Sequence, residues 1–379
     1  MAKQSQHVLR HYNGGFFLRR LDLMLAPDLR LEMLSRWVMD DLGHPDARLS
    51  VASADASFRR YFRAQLLDSS SLIVMDAPPD HENLGPYLQV TQLLTEIGVH
   101  VPQIHAVDRL RGFLLIEDLG VTQYLEQLPL PGRASKLYDS ALASIYQIQT
   151  RGLMLKSELL SYDAVVLQRE LSLMPEWFCA RHLGVHFTAE ESQLWEASCQ
   201  FLIAECLAQP MVFVHRDYHS RNLMVLTAGG PGVIDFQDAV AGPVGYDLVS
   251  LLKDCYIAWP RLQVEQWLSQ YRSQLQRTGF TQLCGNSELE FLRWFDFSGL
   301  QRHLKVLGIF ARLWWRDGKI SYLKDLQRTL DYVLDTAARY PELRDFQSFC
   351  KRRMLPSLGA ANVMARTSVI AAEDQSVPR

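Results

Sequence analysis

The stretch from Met211 to Asp247 constrains the fold more than any other part of this 379-residue chain. Met211-Val212-Phe213-Val214 is a short apolar run of the length a buried strand needs. Polar residues crowd directly behind it: His215, Arg216 and Asp217, then Asn222. A second apolar run, Leu223 to Leu226, leads into the turn signal Ala228-Gly229-Gly230-Pro231-Gly232, and the chain returns through Val233-Ile234 to Asp235. Folded as a hairpin, the two runs bring Asn222 and Asp235 side by side at the open end.

A carboxylate, an amide and a second carboxylate in that order suit phosphoryl transfer, where a protein mainly positions reactants and neutralises charge. Asp217 is the candidate base for an attacking hydroxyl, and Asn222 and Asp235 are candidate ligands for Mg²⁺. His-Arg-Asp-x-x-x-x-Asn is also the catalytic-loop pattern of protein kinases. A buried strand end with capping Asp and Asn would fill the same positions without chemistry. That reading needs four polar identities and two strands to coincide by chance.

His215-x-Asp217-x-His219-x-x-Asn222, then Ile234-Asp235-Phe236 and Gly245-Tyr246-Asp247-Leu248, resemble the aminoglycoside phosphotransferase and choline kinase superfamily. Wider segments resemble a narrower group, the anomeric N-acetylmuramate/N-acetylglucosamine kinases of bacterial cell-wall recycling. They are Asp55-Ala56-Ser57-Phe58-Arg59-Arg60-Tyr61-Phe62, Val74-Met75-Asp76-Ala77-Pro78-Pro79 and His215-Arg216-Asp217-Tyr218-His219-Ser220-Arg221-Asn222. The likeness covers about residues 28 to 355. It implies a two-lobed, protein-kinase-like α+β fold with a small mixed β-sheet lobe over residues 28–118 and a mainly helical lobe over 119–357. Residues 1–27 would be an extension, and 358–379 a tail without fixed structure. The implied cofactors are ATP and Mg²⁺, and the implied acceptor is an amino sugar whose anomeric hydroxyl becomes a 1-phosphate. Nucleotide contacts would fall to Ser57, Arg59, Arg60, Met75, Glu117, Leu119 and Ile234, and substrate contacts to Arg221, Asp238, Arg302 and His303. An aminoglycoside, a choline-like alcohol or another hydroxylated metabolite is an alternative acceptor; a nucleotide-binding pseudokinase is an alternative of another class.

Charge and composition narrow the field. A net charge of −3 argues against general nucleic-acid binding, and no apolar run reaches the roughly 18 residues of a membrane span. The first 20 residues carry Lys3, Arg10, Arg19 and Arg20 and no acid, but lack the apolar stretch of a secretory signal. Six cysteines form no Cys-x-x-Cys pair, so neither a zinc site nor a disulfide framework is indicated and a reducing cytoplasm fits. Nothing in the chain indicates an oligomeric state.

Taken in order, Pro27 to about Leu42 shows helical spacing, and residues 50–76 read as three strands. Asn83 to Ile97 reads as a helix, and Val107 to Glu117 as two more strands. Glu117-Asp118-Leu119-Gly120 would be the hinge. One departure from the kinase pattern stands out: no lysine occurs between Lys3 and Lys136, and Met75 occupies the expected place of the phosphate-binding lysine. Arginines on the second strand, Arg59, Arg60 and Arg63, could replace it with a forked contact, or could line a solvated strand face. Beyond the hinge, helical stripes dominate: Ala134 to Thr150, a helix opened by the capping box Thr188-Ala189-Glu190-Glu191 and running through Leu207, another opened by Ser287 and Glu290, and one from Gly245 through Ile257. Asp247, near the start of that last helix, reads as a structural partner of the catalytic loop. Over residues 293–325 there are seven Lys/Arg against three Asp, an excess that points to a neutral or anionic acceptor, unless these are ordinary solvated faces.

Overall fold

Most of the apolar runs form elements of the type that their spacing predicts. The computed structural model describes residues 28–54, 58–227 and 230–374; the expected extension 1–27 and Ser57 lie outside them. The chain divides into two compact units, Met1–Asn83 with Ile104–Asp118, and Leu84–Gln103 with Leu119–Arg379.

The first unit is an antiparallel sheet of β1 (Arg48–Ala54), β2 (Arg60–Gln65), β3 (Ser71–Asp76), β4 (Ile104–Asp108) and β5 (Phe113–Glu117), in the order β1-β2-β3-β5-β4. Helix α1 (Leu29–Arg36), extended by a wider turn over Trp37–Asp41, covers it. Leu34, Trp37 and Val38 meet Phe62, Val74, Phe113 and Leu115 in its core. Asp76, fully buried at the end of β3, would be intolerable alone. It accepts from Arg30 Nε at 2.9 Å and from Arg60 Nη2 at 2.6 Å.

The second unit is mainly helical. Helix α2 (Leu84–Glu96), which the sequence places with the strands, groups here instead. Tyr87 lies 4.9 Å from Phe236, and Gln89 donates to the Glu158 carbonyl. The framework continues through α3 (Arg133–Arg151), α4 (Ala164–Leu171) and α5 (Ala189–Leu207), whose capping box at Thr188 and Glu191 forms as predicted. Strand β6 (Leu160–Ser161) and β7 (Met211–Val214) flank β10 (Val240–Pro243), while β8 (Leu223–Met224) and β9 (Gly232–Val233) make the hairpin.

Helix α6 (Gly245–Leu252) ends five residues short of the predicted Ile257. The reason is polar: Lys253 and Asp254, in the next turn, are buried with their side chains committed to Asp296 and Ser220. The long α7 (Glu288–Asp317) runs through the unit's core. Gly308 allows its closest approach, since a Cβ there would lie 2.5 Å from the Leu173 carbonyl carbon. The tail corrects the sequence reading: residues expected to lack structure continue a helix, α8 (Leu355–Asp374). Leu358 and Ala365 are buried in the same core, and Asn362 Oδ1 meets His182 Nε2 at 2.9 Å. A window of small residues reads as unstructured only until something covers it.

Candidate active site

The hairpin closes as its sequence demands. Leu223 pairs with Val233, Ile234 N–H donates to the Asn222 carbonyl at 3.1 Å, and Asn222 Nδ2 donates to Asp235 Oδ2 at 3.1 Å. The same Nδ2 donates to the Asp217 carbonyl at 3.0 Å, so one amide ties the loop carrying Asp217 to the strand end carrying Asp235. Gln237 Nε2 holds the other Asp235 oxygen at 2.9 Å.

Three buried anchors hold the loop itself. Asp247, at the start of α6, accepts His215 N–H at 2.7 Å and Arg216 N–H at 2.9 Å. This is the structural partnership expected of it. Tyr218 donates its hydroxyl to the Ala141 carbonyl on α3 at 3.0 Å. Ser220 donates its N–H and hydroxyl to Asp254. Arg216 and Asp235 both sit at positive φ, 81° and 64°, a conformation that side chains resist and that surrounding structure must impose. Asp254 escapes sequence reasoning because no motif marks it, and the left-handed backbone of Arg216 and Asp235 escapes it because neither is a glycine.

Burial pushes the Asp247 carboxyl up to about 7, against the pull of the His215 and Arg216 N–H groups and of Arg302. Its folded pKa exceeds the ordinary 3.8, so its favourable contribution is complete below that value and is lost as pH rises through about 7. Asp247→Ala would leave two buried N–H groups without an acceptor, each costing about 1–3 kcal/mol, and would release the strained Arg216 backbone. The expected outcome is a stability loss of about 3 kcal/mol or more by urea unfolding. A change under about 1 kcal/mol would mean that water replaces the carboxylate without penalty.

Cations ring Asp217. Burial alone would raise its carboxyl, but Lys305, Arg302, His219 and Arg216 outweigh it and hold the group below the usual carboxylate range. Arg302 Nη1 lies 3.5 Å from Asp217 Oδ1 and donates to the Arg216 carbonyl at 3.3 Å. Lys305, one turn along α7, pairs at 3.0 Å with Glu170, which also pairs with Arg216 and accepts from Tyr162 and Gln301. Against its own burial, Lys305 and Arg216 bring Glu170 down to about 2. Burial holds His215 neutral, down to about 4.

The remaining predicted residues separate. Arg302 reaches the candidate base, but its neighbour His303 does not. Each step along a helix turns about 100°, so successive side chains face different ways. His303 is fully buried, bonds the Lys253 carbonyl at 2.9 Å and stacks on Tyr332, so it sits in the interior of the unit. Arg221 lies over the rings of Tyr256 and Tyr322. Asp238 is exposed, and its carbonyl accepts from Arg216.

In the first unit Met75 is fully buried between Tyr61 and Leu114. Arg59 pairs with Glu82 at 3.1 Å, Arg60 with Asp76 and Asp28, and Arg63 with Asp118 at 2.5 Å. Leu119 packs on the hairpin against Gly232, and Ile234 is half-buried. Three of the seven basic residues over 293–325 are answered from outside that window: Arg293 by Glu205 and Glu342, Lys305 by Glu170, Arg302 by Asp217. A local charge count therefore says little about the acceptor.

The geometry agrees with what the chain is similar to. Residues 48–283 match the phosphotransferase enzyme family. Two proteins named N-acetylmuramate/N-acetylglucosamine kinase are close in sequence. The one from Pseudomonas aeruginosa is 45% identical over 85% of this chain and 96% of its own length; that from Pseudomonas putida is 44% identical over 84% and 95%. Among solved structures, a choline kinase from Streptococcus pneumoniae superposes with a TM-score of 0.56 at 15% identity, covering 82% of this chain and 99% of that one. A Plasmodium vivax ethanolamine kinase gives 0.59 at 11%, covering 91% and 96%. These two share the fold.

Proposed function

Since the chain belongs to the phosphotransferase enzyme family, we propose that it is an ATP- and Mg²⁺-dependent kinase that phosphorylates the anomeric hydroxyl of N-acetylmuramate, N-acetylglucosamine or both. The observation that carries this reading is the similarity to proteins of that name along 95–96% of their length. Asp217 accepts the hydroxyl proton; an anomeric hydroxyl is more acidic than an ordinary alcohol, so an ionised carboxylate of low basicity is adequate. Arg302 and Lys305 keep that carboxylate charged and oriented.

Asn222 and Asp235 fit a magnesium ion. Both offer hard oxygen donors, and Mg²⁺ is commonly held by one or two carboxylates with phosphates completing its shell. Asn222 commits its nitrogen to Asp217 and Asp235, which leaves its amide oxygen for the ion. The metal would neutralise charge on the transferring phosphate. In the first unit Arg59 is the better candidate for a phosphate contact. Arg59 pairs with Glu82 at the sheet's edge, whereas Arg60 clamps the fully buried Asp76, which its loss would leave with Arg30 alone of its two guanidinium partners. Met75, Glu117, Leu119 and Ile234 complete the proposed nucleotide contacts. The six buried thiols suit the reducing cytoplasm proposed as its location.

The test is ADP release from ATP with N-acetylmuramate, N-acetylglucosamine, choline and an aminoglycoside, and phosphorus NMR of the product. The expected result is turnover with one or both amino sugars and phosphate coupled to C1. Turnover confined to choline or the aminoglycoside, or none with any acceptor, overturns the reading.

A further inference from the structure

Arg221 is an unusual arginine. It directly precedes Asn222 on the catalytic loop, it is only partly exposed, and no carboxylate lies within ion-pair distance of it among the described residues. The two acids on the segments that carry its neighbours are already engaged. Asp254 accepts Ser220 and the Tyr256 N–H, and Asp325 pairs with Arg328 at 2.9 Å. What holds Arg221 is aromatic: its guanidinium carbon lies 4.7 Å from the Tyr256 ring centre and 5.7 Å from that of Tyr322. Both tyrosines also act on the guanidinium as hydrogen-bond partners; with five N–H groups in a fixed fork, it keeps donors for a forked contact with an anion.

The aromatic surface runs back toward the base. The Tyr256 ring meets the His219 ring edge-on at 5.3 Å, and His219 N–H donates to the Asp217 carbonyl at 3.0 Å. Phe310 packs against both tyrosines, 6.0 Å from Tyr256 and 5.2 Å from Tyr322. An aromatic surface, its rings tilted against one another, that starts beside a base and ends at an arginine suits a sugar carrying an acid. N-acetylmuramate differs from N-acetylglucosamine by such a group, a lactyl ether with a carboxylate.

We propose that Arg221, braced by Tyr256 and Tyr322, is the specificity residue that reads this carboxylate and separates the acidic from the neutral amino sugar. The inference rests on the functional reading above. A charge-assisted, bidentate contact of this kind acts on binding more than on the chemical step. Its loss therefore raises KM for the acidic sugar and moves kcat little.

The experiment compares wild type, Arg221→Ala and Arg221→Lys with both sugars, by steady-state kinetics and by equilibrium binding without nucleotide. The expected result is that Arg221→Ala lowers the ratio of kcat/KM for N-acetylmuramate to that for N-acetylglucosamine by tenfold or more. The binding ratio falls in parallel. Arg221→Lys recovers part of it, because an ammonium keeps the charge and loses the fork. Using a ratio makes the neutral sugar the control for folding. An unchanged ratio, or a loss expressed as a raised KM for ATP with both sugars alike, overturns the inference and leaves the proposed function standing. If wild type turns over neither sugar, the functional reading falls, and the binding ratio still decides the role of Arg221.

Discussion

Asp217→Asn is expected to lower kcat by roughly 10²-fold or more while leaving the protein folded. The substitution is nearly isosteric and removes a base that no neighbour can replace. The other carboxylates on the loop's supports are engaged elsewhere: Asp247 with two backbone N–H groups, Asp254 with Ser220, Glu170 with Lys305 and Arg216. His215 is fully buried, which keeps its ring from an acceptor hydroxyl. The cations around Asp217 set the pH dependence. Its carboxyl is held below the usual carboxylate range, so the wild-type enzyme keeps an ionised base down to that lowered value and loses it only as pH falls through it. Steady-state kcat of the variant at neutral pH checks the first point, and a wild-type kcat that stays flat as pH falls to the ordinary carboxylate value of 3.8 checks the second. Turnover within a few-fold of wild type would remove Asp217 from its role.

Asp235→Ala is expected to cost more than Asn222→Ala, and to resist rescue. Each change removes one proposed metal donor, but only Asp235 carries a charge facing a divalent ion. Even outer-shell partners of a metal are worth roughly 10–100-fold in affinity, so loss of a charged ligand should exceed that. Excess Mg²⁺ should restore part of the activity of Asn222→Ala and little of Asp235→Ala. Direct titration of Mg²⁺ in the presence of a nonhydrolysable nucleotide gives a readout independent of turnover. Activity of Asp235→Ala at ordinary Mg²⁺ concentrations would count against the hairpin assignment. Asp235 also lies in the left-handed region at φ 64°, which glycine adopts freely. Asp235→Gly therefore separates the carboxylate from the backbone: a loss as deep as that of Asp235→Ala assigns the whole effect to the side chain.

Short-range order made most of the elements legible. The presence of the strands, the helix that opens at Thr188 and the hairpin between Asn222 and Asp235 follow from patterns a few residues long. Where elements end was less legible. Helix α6 stops at Leu252 because Lys253 and Asp254 turn into buried partners 43 and 34 residues away along the chain. The tail is helical because Leu358 and Ala365 find cover in a core built by other helices.

By itself the sequence determined the proposed reacting set, one candidate base, two candidate donors and the turn that gathers them, because all lie within one local hairpin and its loop. Tertiary structure alone decided the surroundings that make the set work. Glu170 and Gln301 meet across 131 residues, Arg302 reaches a loop 86 residues away, and Arg216 is held in a strained conformation by Asp247. The physical reason is that burial and charge compensation are properties of neighbours in space. A window of sequence counts the charges at 293–325 as a basic excess, while the folded chain supplies partners for three of them from Glu170, Glu205 and Asp217. Arg221 is named as a substrate contact by the family resemblance, but only the fold shows its setting: among the described residues no carboxylate comes within ion-pair distance of it and two tyrosines lie beside it.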